Sequence, residues 1–446
     1  MVKARRRGGI PGAVMALFFS LASVPAEPLV ARKPPETFAE LIPPPVPEAE
    51  NAAKLYLQAA ALLAEQKLQG TPLAQVLAVG ELRPAESLLK AARSVCELKA
   101  DDREELHTTL LEEFGAYLRT PQVKKALALV EQASRMPHCR FRINYEAGLG
   151  SKLPHLTKLR SLGRFLTATA LAEAEAGEME TAWTRVRQQW QLADHLRGEP
   201  TLISQLVRFA VFAIADKGMK ELAVAGPPTA KIARALDQLL DRVEDPEPWA
   251  AAMHGERLLL DAWVFRLPAE EFAVYMARLD IPQNAEGPAL ELLATDYDVL
   301  QRVLLRATEL LEQPYYRAKT PLAETMAELN KPDDPNPFGE FVPALDALAS
   351  KLALLQARAR VARIGLRLKA YRAKHGNYPA TLAVLDLPDI PDGKRIDPFT
   401  GRALIYRAEG KGFVLYSFGA DAIDNGGKER QSDEKSGFDI VWRAKR

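Results

Sequence analysis

Between about residues 50 and 330, apolar side chains recur every three or four positions, the spacing that places them on one face of an α-helix. "AAKLYLQAAALLAEQ", beginning at Ala52, is rich in Ala and Leu, which favour helix. Pro84 opens "PAESLLKAARSVCEL", and "DDREELHTTLLEEFGAYL" from Asp101 starts with acids suited to a helix N-terminus. The clearest stretch runs from His155 to Ala215, where Gly177 and the Gly198-Glu199-Pro200 turn divide three predicted helices. Within it, "LVRFAVFAIA" is too short to span a bilayer and contains Arg208, so it is expected as a buried helix. "ALAEAEAGEMETAW" resembles one tetratricopeptide unit, but no repeat of that length is sustained, and the pattern predicts an antiparallel helical array.

The helical pattern stops at "NKPDDPNPFGEFVP". Pro332, Pro335, Pro337 and Pro343 each lack a backbone donor and fix φ, so a linker is expected over 331–344. A long helix follows, from Leu345 to His375. Leu345, Leu348, Leu352, Leu355, Ala359, Ala362 and Leu366 form one stripe along it, and Gly376 is placed to end it. "ALIYRA" and "GFVLYSF" alternate as strands do, Glu409-Gly410-Lys411 joins them as a hairpin, and "FDIVW" supplies a candidate third strand. The predicted fold is therefore a mainly α N-terminal helical array (50–330) and a small α+β C-terminal domain (345–446). In the latter a long helix packs on a short antiparallel sheet, and the proline break predicts that this domain folds independently.

The chain opens with Lys3, Arg5, Arg6 and Arg7, an apolar run from Ile10 to Ala22, and Val24-Pro25-Ala26. That order is a secretory signal peptide over residues 1–26, with cleavage expected after Ala26; the alternative is an uncleaved anchor, which would be the only membrane contact. A Pro-rich tether is expected over 27–49. The expected location is the periplasm or the extracellular space. Cys96 and Cys139 either pair there or are buried separately, and their spacing does not suggest a zinc site. Lys plus Arg (59) nearly cancels Asp plus Glu (58), so no nucleic-acid partner is expected.

The last hundred or so residues carry "YRAKHGNYP" at the end of the long helix, then "DPFTGRALIYR" from Asp397, then Leu415 to Asp421 at the end of a strand, then Asp439-Ile440. In this order the segments resemble the globular part of type II secretion major pseudopilins. The resemblance implies the helix-on-sheet fold and a calcium site in the loop after the strand. On it, Asp421 and Asp439 match family ligands and Asp424 lies where the family loop is acidic, although Gly426 to Ser436 is longer than usual. The residues themselves agree with a hard cation: Asp421, Asp424, Glu429, Asp433, Glu434 and Asp439 crowd one Gly-rich loop, and calcium takes six to eight oxygens. An Asx-turn loop with solvated acids is the alternative. The chain departs from the family in its ordinary signal sequence and in the some 300 residues before the matching helix, so assembly as an ordinary pseudopilin is not expected.

No HExxH, G-x-S-x-G or P-loop occurs. The histidines at 107, 138, 155, 195, 254 and 375 do not pair at ligand spacing, and Ser151 lacks the second glycine of a nucleophile elbow. Arg140, Arg142, Asn144, Tyr145 and Glu146 cluster in an irregular segment that reads as a binding cleft or as a tied-down connector. Lys351, Arg358, Arg360, Arg363, Arg367, Lys369, Arg372 and Lys374 make the long helix basic, with no acid between 351 and 375. That face either docks on an acidic protein or anionic lipid, or is paired within the chain or solvated. The expected function is an exported, non-enzymatic envelope protein that binds protein partners through the helical domain or the basic helix. The alternative is an exported hydrolase or sugar-active enzyme with carboxylates spread over the helical array.

Overall fold

Local signals set most helix ends. The computed structural model describes residues 34–64, 112, 114–264, 288–331, 334–336, 345–385, 390–429 and 437–444. After a short turn, α1 (Phe38–Leu41), comes α2 (Ala53–Ala64). Pro121 and Pro154 occupy the first positions of α3 (Pro121–Ala133) and α4 (Pro154–Glu175), where a missing N–H costs nothing. Gly177, at φ +83°, turns the chain into α5 (Met179–Asp194). Thr201 and Thr229 accept hydrogen bonds from Ser204 and Ile232 and so cap α6 (Leu202–Ala225) and α7 (Ala230–Glu244). The three helices expected between 155 and 215 are thus α4, α5 and α6, divided where the glycines predicted. The segments around Pro84 and Asp101, the signal segment and Cys96 lie outside the described residues.

Helices α4, α5 and α6 pack on one another and α2 on α3, around a core that includes Trp183, Trp190, Phe165 and Phe212. Arg208 on α6 is completely buried in it. Its guanidinium lies 5.2 Å from the Phe212 ring and donates to the Arg242 carbonyl in the last turn of α7, at 2.9 Å. A cation at a helix C-terminus is favoured by the carbonyl dipoles, which offsets part of its desolvation. Burial still lowers the Arg208 pKa to about 10. None of the described helices is long and apolar enough to cross a membrane.

A second core joins α8 (Glu247–Val264), α9 (Pro288–Leu311) and α10 (Tyr315–Ala327) to the first half of α11 (Leu345–His375). One glycine is essential to this arrangement. A Cβ on Gly255 of α8 would lie 1.6 Å from the Pro200 carbonyl oxygen, so the helix abuts the 198–200 turn only because that atom is missing. Beside it, Glu256 accepts from the Leu202 backbone N–H at 2.8 Å and helps cap α6. In the Pro-rich break, β1 (Asn330–Lys331) and β2 (Asp334–Pro335) form a two-residue ladder.

The C-terminal sheet is antiparallel, in the order β3 (Ile405–Glu409), β4 (Gly412–Ser417), β5 (Ile440–Ala444). The hairpin turns at Gly410, φ +60°. Strand β4 is buried along its whole length, and α11 packs on β4 and β5. Gly365 of α11 faces Trp442 so closely that a Cβ would sit 2.0 Å from Cε3 of the indole. The stripe from Leu345 to Leu366 is buried as expected, but so are Ala353, Ala357, Val361, Ile364 and Leu368 around the rest of the helix. The two cores divide α11 between them, and Pro35 to Arg446 form one compact unit. Residues 35–49, read from composition as a tether, lie on the body: Phe38 stacks on Tyr145 at 4.8 Å, and Arg257 donates to the Pro35 carbonyl.

Candidate functional site

The loop after β4 is built around carboxylates that accept from its own backbone. Asp397, fully buried in the turn before β3, receives Phe399 N, Thr400 N and Thr400 Oγ1 on one oxygen and Phe418 N on the other, at 2.8–3.0 Å. Asp397 therefore fixes where β4 hands over to the loop. From there the backbone repeatedly takes left-handed conformations: Gly419, Ala422, Gly426, Gly427 and Gly437 all have positive φ. Glycine adopts these freely, whereas Ala422 at φ 59° does so at some cost.

The three candidate ligands lie in this loop, with different environments. Asp421 is half-buried and accepts from Ile423 N (3.1 Å), Asn425 Nδ2 (3.2 Å) and Gly437 N (3.2 Å). Buried Asp439 accepts from Asn425 N (3.3 Å) and Gly427 N (2.7 Å). Both carboxylates thus converge on Asn425. Exposed Asp424 instead accepts from the Tyr416 hydroxyl (2.9 Å) and Gly426 N (2.9 Å). Burial raises the Asp439 pKa against the pull of three backbone N–H groups, with the charge of Asp424 adding to the rise. Burial and the bond to Asp424 push Tyr416 up to about 12. The donors, carboxylate and amide oxygens, suit a hard cation in chemistry. Their present bonding is that of a chain of Asx turns. Among the described residues no group of three or more His, Cys, Asp or Glu side chains is gathered as a metal cluster. Asp433 and Glu434 lie outside the described residues.

The basic row on α11 is engaged inside the chain. Arg358 reaches Asp216 of α6 at 3.0 Å, and Arg360 reaches Glu244 of α7 at 2.8 Å. Arg363 bridges Asp241 and Glu244, each at 2.7 Å, and Arg367 meets Asp237 at 2.6 Å. Asp237, Asp241 and Glu244 are spaced four and three apart and so share one face of α7. That acidic face was visible in the sequence, but its match to the basic row required the fold. Arg372 stacks over Tyr378 at 5.0 Å, while Lys351 and Lys374 are exposed.

The irregular segment from 138 to 153 is a stitched connector. The Asn51 side chain bonds both the N–H (2.8 Å) and the carbonyl (3.0 Å) of Arg140, imitating a neighbouring strand. Asn144 caps a 3₁₀ turn at Tyr145–Gly150, and the Ser151 hydroxyl donates to the Asn144 and Gly148 carbonyls. Arg142 and Glu146 point to solvent, whereas Tyr145 is buried. Two histidines lie beneath, and His195, read from sequence as a surface or satisfied core residue on a helix, is a satisfied core residue. His155 stacks on Phe141 and bonds Glu199 at 2.8 Å; His195 takes a hydrogen bond from the Tyr56 hydroxyl at Nδ1 and donates from Nε2 to the Met136 carbonyl. Burial lowers the His195 pKa to about 4, which keeps it neutral. A groove of about 550 Å³ nearby carries Glu50, Glu131 and Arg135, of which Glu131 and Arg135 are paired.

No protein-family model matches the chain, and neither a curated protein nor a solved structure matches it.

Proposed function

We propose that this chain is an exported, non-enzymatic envelope protein, related to type II secretion through a pseudopilin-like C-terminal module that calcium stabilises. The single observation that supports this reading is where the resembling segments fall. "YRAKHGNYP" ends the long helix at Gly376, φ +81°, "DPFTG" forms the turn built on Asp397, and the two Asp-containing segments meet in one loop through Asn425. Asp421 and Asp439, with Asp424, would hold the ion. A divalent cation there would relieve the repulsion of carboxylates brought together by folding.

The helical array would serve as the interaction body, and protein partners would meet it away from the α7–α11 seam, where the arginines are already satisfied. On the basic helix itself, exposed Lys351 and Lys374 would be what meets an acidic partner. Export is tested by expressing the chain with a C-terminal tag, fractionating the cells and sequencing its N-terminus. A periplasmic or extracellular chain beginning at Glu27 is expected. A cytoplasmic chain beginning at Met1 would overturn the reading.

A further inference from the structure

Glu199 sits in the turn between α5 and α6 with a side chain only 6% exposed. Its carboxylate accepts from His155 Nε2 at 2.8 and 3.1 Å and from the Ser204 hydroxyl at 2.5 Å. Thr201 donates in turn to Ser204 at 2.8 Å, and Gln205 donates to the Glu199 carbonyl at 2.9 Å. Four segments meet around this carboxylate. Phe141 of the connector lies on the His155 ring, α4 begins at Pro154, the 198–200 turn abuts α8 at Gly255, and α6 starts at Leu202.

We propose that His155, Glu199 and Ser204 form an acid-sensitive latch that holds the connector 138–153 and the start of α6 on the helical body. The ionised carboxylate is the common acceptor for both donors and lies just before a helix N-terminus, where negative charge is favoured. Adding a proton to it removes the charge, turns one oxygen into a donor facing other donors, and leaves His155 bonded to a weaker acceptor in a buried site. Neutral imidazole also donates from Nε2, so the bond from His155 to the carboxylate does not require a charge on the ring. The latch therefore opens on the acid side only.

Other ionisable groups face it from the surrounding elements. Burial raises Cys139 and Tyr145 of the connector, and the nearby Glu199 charge adds to both rises, with Arg140 opposing at Tyr145. Glu256 of α8 is bonded to Leu202 N. On α5 and the turn after it, Asp194 is paired with Arg242, Arg197 with Asp245, and His195 is bonded to Tyr56 and Met136. Of these, Glu256 and His195 also gain protons in acid, so a variant of Glu199 is needed to isolate its part.

The test is hydrogen exchange of the full chain, followed by mass spectrometry and corrected for intrinsic rates, at about pH 7 and about pH 4. In the unaltered protein, peptides covering 138–153 and 198–206 should exchange about tenfold faster in acid while those of α9 and α10 change less, and neutralisation should restore protection. Glu199→Gln should exchange fast in these peptides at both pH values. Unchanged protection in acid, or an acid response in Glu199→Gln equal to that of the unaltered protein, would overturn the proposal. Should Glu199→Gln fail to fold, Ser204→Ala provides the second test. It removes one donor to the carboxylate and should move the midpoint of the acid response to higher pH; an unmoved midpoint would also overturn the latch.

Discussion

Arg363 of α11 and Glu244 of α7 meet at 2.7 Å, and each side chain is only 4% exposed. Desolvating two charges is costly, and here excellent geometry offsets it: Arg363 also reaches Asp241, and Glu244 also receives Arg360. Removing one partner leaves the other buried with its second contact alone, Asp241 for Arg363 or Arg360 for Glu244. Arg363→Ala or Glu244→Ala should each destabilise the full chain by about 3–5 kcal/mol, read from denaturant unfolding. The double change Arg363→Met with Glu244→Leu should cost less than the sum of the single changes. Single-variant losses below about 1 kcal/mol would show that the pair is solvated in solution.

The same seam bears on independent folding. Half of α11 belongs to each core, and its arginines are matched by acids on α6 and α7. A fragment of residues 345–446 should therefore lack a cooperative melt, because it exposes apolar surface and strands the Arg363 and Arg360 side chains. A sharp cooperative transition in the isolated fragment would contradict this.

Gly365→Ala should be costly although it raises helix propensity. Its Cβ would lie 2.0 Å from Trp442, so the helix and β5 must separate. Overpacking of this kind typically costs about 1–3 kcal/mol. Adding Trp442→Leu should recover part of that loss. A melting temperature for Gly365→Ala at or above that of the unaltered protein would count against the packing described.

His195 makes stability depend on pH. Its folded pKa, about 4, lies below the ordinary value near 6.5, so between these values the unfolded chain binds the proton and the folded chain does not. Stability from this group is complete above about pH 6.5 and is lost as pH falls towards 4, by about 3 kcal/mol in total. Unfolding free energies measured across this interval should fall less steeply for His195→Phe, and equal slopes would contradict the assignment.

Legibility in the sequence followed the range of the interaction. The hairpin at Gly410, the helix end at Gly376 and the stripe from Leu345 to Leu366 depend on neighbours a few residues away, and each appears where its pattern put it. The basic row on α11 was equally visible. Its fate was not, because Arg363 reads the same whether it faces water or lies beside Glu244, more than a hundred positions earlier. Gly255 looked like any helical glycine until Pro200 was found against it. In the candidate site the acids could be counted from sequence, but Asp424 turning to Tyr416 while Asp421 and Asp439 share Asn425 is a property of the folded loop.

Thermal melting of the full chain in calcium and in chelator tests the central claim most directly, with Asp421→Ala as the companion variant. A ligand that binds only the folded state adds RT ln(1 + [L]/Kd), about 2.7 kcal/mol at a hundredfold excess over Kd. The account predicts a higher midpoint with calcium for the unaltered protein, and a gain largely lost in Asp421→Ala. The same midpoint with calcium and with chelator would contradict it, and the loop would then be a polar turn held by its own hydrogen bonds.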